Sequence, residues 1–285
     1  MTTGAGPTRF VDLHMHSTAS DGSRAPADVV RAAHAASLAA IALTDHDTVD
    51  GLPEAQAAGA ELGVRIINGV ELSAVEGDTE THILGLHLQD TSVLARGLAE
   101  LRDMRERRAV RIVEMLDALG VKITMDDVLG QADGGAVGRP HVARAMVASG
   151  WATDVRDAFD RYLGAGKPAY VGKDQLSMPD AIAMIHAAGG LAVLAHPGWA
   201  GTRERIEALV QQGLDGVEVK HPGHSSSDTT RLKGLVELLG LVPSGGSDWH
   251  GAAEGPRTIG MMNVPPEWLA LQDARLAARG RVAAG

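Results

Sequence analysis

Short apolar runs recur along the chain, and each one meets a polar residue of a metal-ligating type. They read RFVDLHMH to His16, LAAIALTDHD around His46, RIINGVE to Glu71, THILGLH from His82, LAVLAH to His196, GVEVKH to His221 and LVPSGGSDWH to His250. Four or five apolar residues with β-branched members, bounded by Gly, Pro or Asp, have the signature of a buried strand. The pattern predicts strands at 10–15, 39–44, 64–70, 82–88, 191–195, 216–220 and 241–244. Alanine-rich stretches at 26–36 and 52–62 are predicted helices, with Pro26 and Pro53 where a first helical turn accepts proline. Repeated βα units imply a parallel sheet with helices outside it. Ligand-type residues just past the C-terminal ends of many buried strands point to a barrel with its site at that rim.

The alternation stops near residue 90. Residues 92–119 read as one long helix with Leu98, Leu101, Ile112, Met115, Leu116 and Leu119 on an apolar side, ended by Gly120. Shorter helices follow at 124–130, 139–149 and 154–162, with no strand until Leu191. Residues 92–167 are therefore predicted as an all-helical insertion between barrel segments 9–91 and 168–275. Helices at 179–188, 203–212 and 228–239 then separate the remaining strands. The first eight residues and the terminal ARLAARGRVAAG are expected to fray.

Length and composition add limits. The 285 residues suffice for one α/β barrel with a modest insertion, and a 45% hydrophobic content supports a large core. Aromatics are only 3%, so Ala, Val, Leu and Ile must fill that core. A net charge of −10 argues against adhesion to duplex nucleic acid or an anionic membrane. It leaves open a small anionic substrate, because bound cations invert the local field. Cysteine is absent, which removes thiolate sites and suits a reducing cytoplasm. MTTGAGPTRF lacks the apolar core of a secretory signal, and runs such as Leu191–Ala195 are too short to span a bilayer. A soluble, cytoplasmic protein is expected. The oligomeric state is left open.

The chemistry lies in the strand ends. His14 and His16 are two apart in a strand, so both face one side and can clamp an ion. Such a pair alone is a weak sign; Ser17 and the Asp21-Gly22 turn strengthen it. In Thr44-Asp45-His46-Asp47, the aspartates could cap a helix or orient a metal-bound imidazole. Glu71 is either a solvated strand-end carboxylate or a rim ligand able to bridge two ions. His82 and His196 have the same ambiguity, since a lone histidine in an apolar strand is ordinarily a satisfied core residue. Gly245-Gly246-Ser247-Asp248-Trp249-His250 is the sharpest element: two glycines permit close backbone approach, and Asp248 and His250 project together. Imidazoles and carboxylates without sulfur point to divalent metal ions and suit Mn²⁺, Fe²⁺ or Zn²⁺ without deciding among them; Mn²⁺ is the expected ion.

In that order, HxH, DG, TDHD, the isolated glutamate, the strand histidine, AHP and GSDWH resemble the motifs of the PHP (polymerase and histidinol phosphatase) superfamily. The resemblance covers residues 10 to about 260. Within it, GRPH at 138–141, AFDRYLGAGKPAYV at 158–171 and EVKHPGHS at 218–225 are similar to one branch of that superfamily. The branch contains nucleoside 3′,5′-bisphosphate phosphatases and a 5′→3′ exoribonuclease of short RNA. The resemblance implies a distorted seven-stranded β/α barrel with a helical insertion and three metal ions. Carried over residue by residue, it puts His14, His16, Glu71 and Asp248 on one ion. Glu71 would bridge to a second ion with His82 and His196, while Asp21, His46 and His250 hold the third. Glu71 and Asp248 thereby become catalytic. The family often has an aromatic where Lys220 stands, so that pocket wall is expected to be more polar here.

Arg139 and Lys167, each set between Gly and Pro, are expected on loops at the two ends of the insertion; by themselves they read as solvated loop cations, and the resemblance implies that they are phosphate ligands. His224 is expected as a phosphate contact or proton donor, and His141 is left between packing and function. The six arginines from Arg96 to Arg111 are interleaved with Glu100, Asp103 and Glu106, which predicts a solvated, ion-paired face rather than an RNA track. No nucleophile elbow and no phosphate-binding glycine loop is present. The expected activity is metal-dependent phosphoester hydrolysis of nucleoside 3′,5′-bisphosphates, nucleoside monophosphates or the 5′ end of short oligoribonucleotides. The alternatives are another small monoester such as histidinol phosphate, or a non-catalytic metal-binding regulatory module.

Overall fold

The computed structural model describes residues 10–77, 79–132, 137–171, 176–253 and 255–283. The apolar runs form β1 (Val11–Asp12), β2 (Ala40–Leu43), β3 (Arg65–Glu76), β4 (Thr79–Leu86), β5 (Leu191–Leu194), β6 (Gly216–Lys220) and β7 (Val242–Gly245). They make one seven-stranded sheet in chain order. β1, β2 and β3 are parallel to one another, as are β5, β6 and β7. The sheet nearly closes on itself, because the Leu13 N–H donates to the Gly245 carbonyl at 3.1 Å and Met15 pairs with Trp249. A mixed α/β barrel results.

The expectation of an all-parallel sheet is corrected at β4, which runs antiparallel to both β3 and β5. β3 continues past Glu71, and Glu76 pairs with Thr79 across a hairpin. Ser73 and Glu76 interrupt the apolar pattern there, so the extension has the alternating burial of a half-exposed strand rather than a continuous run. The reversal matters for the site. It sets His82, paired with Ser73 near the start of β4, at the same rim as the C-terminal ends of the parallel strands. His87, just after β4, falls at the opposite end.

In the barrel unit the helices are α1 (Pro26–Ala35), α2 (Leu52–Leu62), α7 (Met178–Ala187), α8 (Arg203–Gln211), α9 (Ser226–Leu239) and α10 (Pro266–Ala283). Proline opens α1, α2 and α7. The hydroxyls of Ser177, Thr202 and Ser225 cap α7, α8 and α9. α10 corrects the expected C-terminal fraying. It runs through most of the terminal segment, to Ala283, and within that segment Arg279 donates to the Gly190 carbonyl at 3.3 Å and pairs with Asp215. Just ahead of it, Gln272 donates to the Pro243 carbonyl at 2.8 Å and meets His87 Nε2 at 2.9 Å. Leu269 joins Val11, Leu13, Leu84, Leu86 and Val193 in one apolar cluster. The expected fraying of the first eight residues lies outside the described residues.

The chain divides into two compact units, Met1–Ala95 with Leu176–Gly285, and Arg96–Gln175. α3 (Thr91–Ala118) runs into the second unit, which also holds α4 (Met125–Gly130), α5 (Arg139–Ala148), α6 (Val155–Ala158) and a π-helical turn, Phe159–Leu163. No strand occurs in it among the described residues. Ile112, Leu116, Val121, Val128, Val142, Met146 and Leu163 form its own core. Arg108 departs from the solvated face expected of α3: it is buried.

Candidate metal centre

The rim is built by backbone segments locked to one another. Gly246 lies so close to the end of β1 that a Cβ there would stand 2.4 Å from the His14 Cβ. The Asp248 N–H donates to the His14 carbonyl, and the His16 N–H to the Trp249 carbonyl, each at 2.9 Å. Beyond β2, His46 pairs with Glu71 in a parallel bridge. Thr44 bonds the backbone of Met15, and Asp45 accepts from the Ser17 N–H and hydroxyl and from Ser20. Asp47 accepts from the Ser73 N–H at 3.0 Å. The two aspartates around His46 therefore tie neighbouring segments together. Asp47, His196 and Asp248 all have positive φ (51°, 28° and 51°). Strain of this kind in non-glycine residues persists where the surroundings over-determine it, as at functional sites.

Glu71 is the hub, almost wholly buried. Its Oε2 faces His14 Nε2 at 3.1 Å, His16 Nε2 at 3.2 Å and His46 Nδ1 at 3.4 Å. Its Oε1 faces His82 Nδ1 at 2.9 Å and His196 Nε2 at 3.0 Å. Asp248 Oδ1 lies 3.1 Å from His16 Nε2 and 3.5 Å from His14 Nε2. Asp21 Oδ2 is 3.3 Å from His250 Nε2 and 4.0 Å from His46 Nε2. Three groups have donor atoms close enough to share an ion: His14, His16, Glu71 and Asp248; His16, Asp21, His46 and His250; and His46, Glu71 and His82. All nine residues singled out as ligands thus lie at one rim, with His196 touching the same Glu71 oxygen as His82. His46 faces both Glu71 and Asp21, which the sequence did not distinguish.

The donor set fits cations. Both ring nitrogens of His16 and Nδ1 of His46 and of His82 are buried and out of hydrogen-bonding geometry, although Glu71 oxygens stand 3.2 Å from His16 Nε2, 3.4 Å from His46 Nδ1 and 2.9 Å from His82 Nδ1. Leaving each so costs about 1–3 kcal/mol, which a bound cation removes. Burial alone would raise the pKa of Glu71, but the surrounding imidazoles, His14 foremost, push it far below the carboxylate range. Asp248 behaves likewise, with His16 and His221 outweighing its burial. A hydrogen bond from His250 helps bring Asp21 down to about 2. Burial opposes charge on His14, yet Glu71 and Glu218 raise its pKa.

Several participants were not legible beforehand. Glu218, fully buried inside β6, accepts from His14 Nδ1 at 3.1 Å and from the His196 N–H at 2.7 Å. The available signal was a carboxylate in the middle of a buried strand, which must be paired. His221 Nδ1 accepts from the Gly223 N–H, so its proton is on Nε2, 3.3 Å from Asp248 Oδ2. Arg257 pairs with Asp248 and is 43% exposed. Buried Asp12 accepts from the Ser247 and Gly260 N–H groups, and its pKa is raised by burial. Beside His82 and His196 lies a cleft of about 460 Å³, lined also by Thr79, Thr81, Pro197, Ala200 and Arg205.

The expected substrate contacts fare differently. His224 donates from Nδ1 to the Val219 carbonyl at 3.0 Å and accepts at Nε2 from the Gly198 N–H at 3.1 Å. Both nitrogens are used inside the fold, so the expected phosphate contact or proton donor is corrected to a backbone brace. Lys220 donates to the carbonyls of Met262 and Asn263 instead of lining a pocket wall. Arg139 is not on a loop: it opens α5, with Pro140 beside it in the first turn. Its guanidinium donates to the Leu163 carbonyl and lies 5.8 Å from the Phe159 ring centre and 5.3 Å from that of Tyr170. Lys167 is exposed in a turn, its N–H bonded to the Gly164 carbonyl. His141 Nδ1 accepts the Gly138 N–H and caps α5.

Residues 12–108 match the family described as PHP domain. The chain is 39% identical over 264 residues to a 3′,5′-nucleoside bisphosphate phosphatase of Chromobacterium violaceum, covering 90% of this chain and 93% of that protein. It is 38% identical over 251 residues to a 5′-3′ exoribonuclease of Haemophilus influenzae, covering 85% and 90%. A crystal structure from Bifidobacterium adolescentis, described as a metal-dependent phosphoesterase, superposes with a TM-score of 0.70 at 33% identity over 95% of this chain and 98% of that one. No helix among the described residues is long and apolar enough to cross a membrane.

Proposed function

The chain belongs to the PHP family of metal-dependent phosphoesterases, and on that premise we propose that it removes a phosphate from nucleoside 3′,5′-bisphosphates. Nucleoside monophosphates and the 5′ end of short oligoribonucleotides are related substrates in the same reading. The observation that carries it is the two-sided use of Glu71, one oxygen facing His14, His16 and His46 and the other His82 and His196. A carboxylate so placed is a natural bridge between two cations. His14, His16, Glu71 and Asp248 would hold one ion, Glu71 with His82 and His196 a second, and Asp21, His46 and His250 a third. Mn²⁺ is the preferred ion, with Fe²⁺ and Zn²⁺ as alternatives, which the nitrogen and oxygen donors support.

Bound divalent ions supply Lewis-acid polarisation of the phosphoryl oxygens and lower the pKa of attacking water. The protein's own part is orientation. Glu218, on Nδ1 of His14, fixes that ring's proton and leaves Nε2 directed at Glu71 and Asp248. His221 holds a proton on Nε2 at the Asp248 side of the site. The Arg257 guanidinium, which pairs with Asp248 and lines a cleft with His250, would neutralise a non-bridging phosphate oxygen. Arg139 and Lys167 are proposed to hold the second, non-reacting phosphate, a role supported by the family motifs around them. A cytoplasmic setting belongs to this reading and is supported by a chain without cysteine.

The test is phosphate release from nucleoside 3′,5′-bisphosphates, mononucleotides, short RNA and histidinol phosphate, with Mn²⁺, Fe²⁺ and Zn²⁺ in turn. The highest kcat/KM is expected for a bisphosphate with Mn²⁺. Preference for histidinol phosphate would end the nucleotide reading.

A further inference from the structure

Trp199 is 84% exposed, more than any other large apolar side chain among the described residues. The chain has only four Trp, two Tyr and two Phe, so exposing one of them this far is notable on physical grounds. Trp199 sits on a single 3₁₀ turn, Gly198–Ala200, directly after the site residue His196. His196, Pro197 and Ala200, on either side of it in the chain, line the cleft beside the metal centre.

The turn is braced from three directions. The Gly198 N–H donates to His224, which is itself fixed on the Val219 carbonyl at the end of β6. Arg231 of α9 donates to the Gly198 carbonyl at 2.7 Å and to the Gly201 carbonyl, and is held by Asp228 at 3.0 Å. Arg205 of α8 reaches the Ala200 carbonyl at 3.4 Å while clamped to Glu76 and to the Thr81 hydroxyl. A turn held this firmly presents its one large side chain to solvent. An aromatic face ordered before binding loses little further freedom when a ligand stacks on it.

We infer that Trp199 is the platform on which the base of a nucleotide substrate stacks while its phosphate occupies the metal centre. The inference rests on the nucleotide reading above. The distance suits it: Trp199 is three positions after His196, so their Cα atoms are at most about 11 Å apart, a span one nucleotide covers from phosphate to base. Stacking uses the π face that every base has, so this contact predicts tolerance of base identity. His224 and Arg231 become positioning residues that act through the turn.

The experiment compares wild type, Trp199→Ala and Trp199→Phe on a nucleoside 3′,5′-bisphosphate and on ribose 3,5-bisphosphate, which lacks the base. Trp199→Ala should lower kcat/KM for the nucleotide about 5- to 100-fold, chiefly through KM, as loss of one base–aromatic stack implies. Trp199→Phe should restore most of it, and the base-less ester should respond to neither change. Arg231→Ala should raise KM for the nucleotide with kcat intact and leave the base-less ester alone. Equal losses on both esters, or none on either, overturn the inference while the bisphosphatase reading stands. Failure of wild type to cleave the nucleoside bisphosphate removes the substrate reading, and this inference with it.

Discussion

Both compact units have an apolar core, built in the barrel unit from residues such as Ile41, Leu84 and Val193 and in the helical unit from residues such as Ile112, Leu116 and Val142. They differ in the polar groups set among those side chains. The barrel unit buries His14, His16, Asp45, Glu71, Glu218 and Asp248, most of them within reach of one another. In the helical unit, Arg108 is the only buried charged side chain among the described residues. Burying charge without compensation is costly, so a region that does it repeatedly must hold partners or ions. The helical unit follows the ordinary rule of an apolar inside. The contrast separates residues that determine chemistry from residues that determine shape, and substitutions in each unit can test it.

The largest effect is expected at the hub. Glu71→Ala should reduce turnover by at least about 10³, the scale of a lost transition-state charge contact, with bound metal reduced and far-UV circular dichroism unchanged. Near-normal activity and metal content would break the contrast outright. Leu116→Ala, in the helical core, should lower unfolding free energy by about 2–5 kcal/mol in a denaturant titration, through lost burial and a cavity. Its metal content should match wild type; metal loss there would mean that shape and chemistry are not separable by unit.

Glu218→Gln keeps the shape of a side chain that orients His14 and His196. Metal affinity should fall roughly 10- to 100-fold, as when an outer partner of a ligating histidine is removed, measured by competition with a chelator. An unchanged affinity would reduce Glu218 to a core residue. The smallest effect belongs to Arg139→Ala. Because its guanidinium is braced by Leu163, Phe159 and Tyr170, about a tenfold loss in kcat/KM for a bisphosphate is expected, with less for a monophosphate. Equal loss on both would assign Arg139 to the reacting phosphate, and no loss would make it a scaffold residue of the helical unit.

What could be read in advance follows the same division. Strands such as Ala40–Leu43 and helices such as Leu52–Leu62 were legible because burial on all sides, or a proline at the first turn, leaves a local mark. The proposed ligands were legible as candidates because imidazoles and carboxylates at strand ends stand out against apolar runs. The antiparallel course of β4 was not, since the polar Ser73 and Glu76 hide the extension of β3 and the hairpin beyond it. Glu218 escaped because a strand sequence does not tell which partner a buried carboxylate has. Arg257 and Trp199 escaped because their positions depend on where distant loops lie. α10 escaped because its Ala, Gly and Arg composition carries little amphipathic pattern, and few of its side chains, such as Leu269 and Gln272, anchor it.

The contact of Gly246 with His14 joins residues from opposite ends of the chain, and the site depends on it. His14 and His16 leave the ribosome early, whereas Asp248 and His250 are among the last parts of the barrel to be made. Contacts so distant in sequence form late, after the loop between them has been closed. A nascent chain that has reached the end of β6 carries seven of the nine proposed ligands but lacks the backbone segment that seats His14 and His16. Metal capture by the proposed ligands should therefore wait for completion of the barrel. Tight metal retention in a pulse-labelled translation reaction should emerge only after the Gly245–His250 segment is released, making the ion a reporter of finished folding.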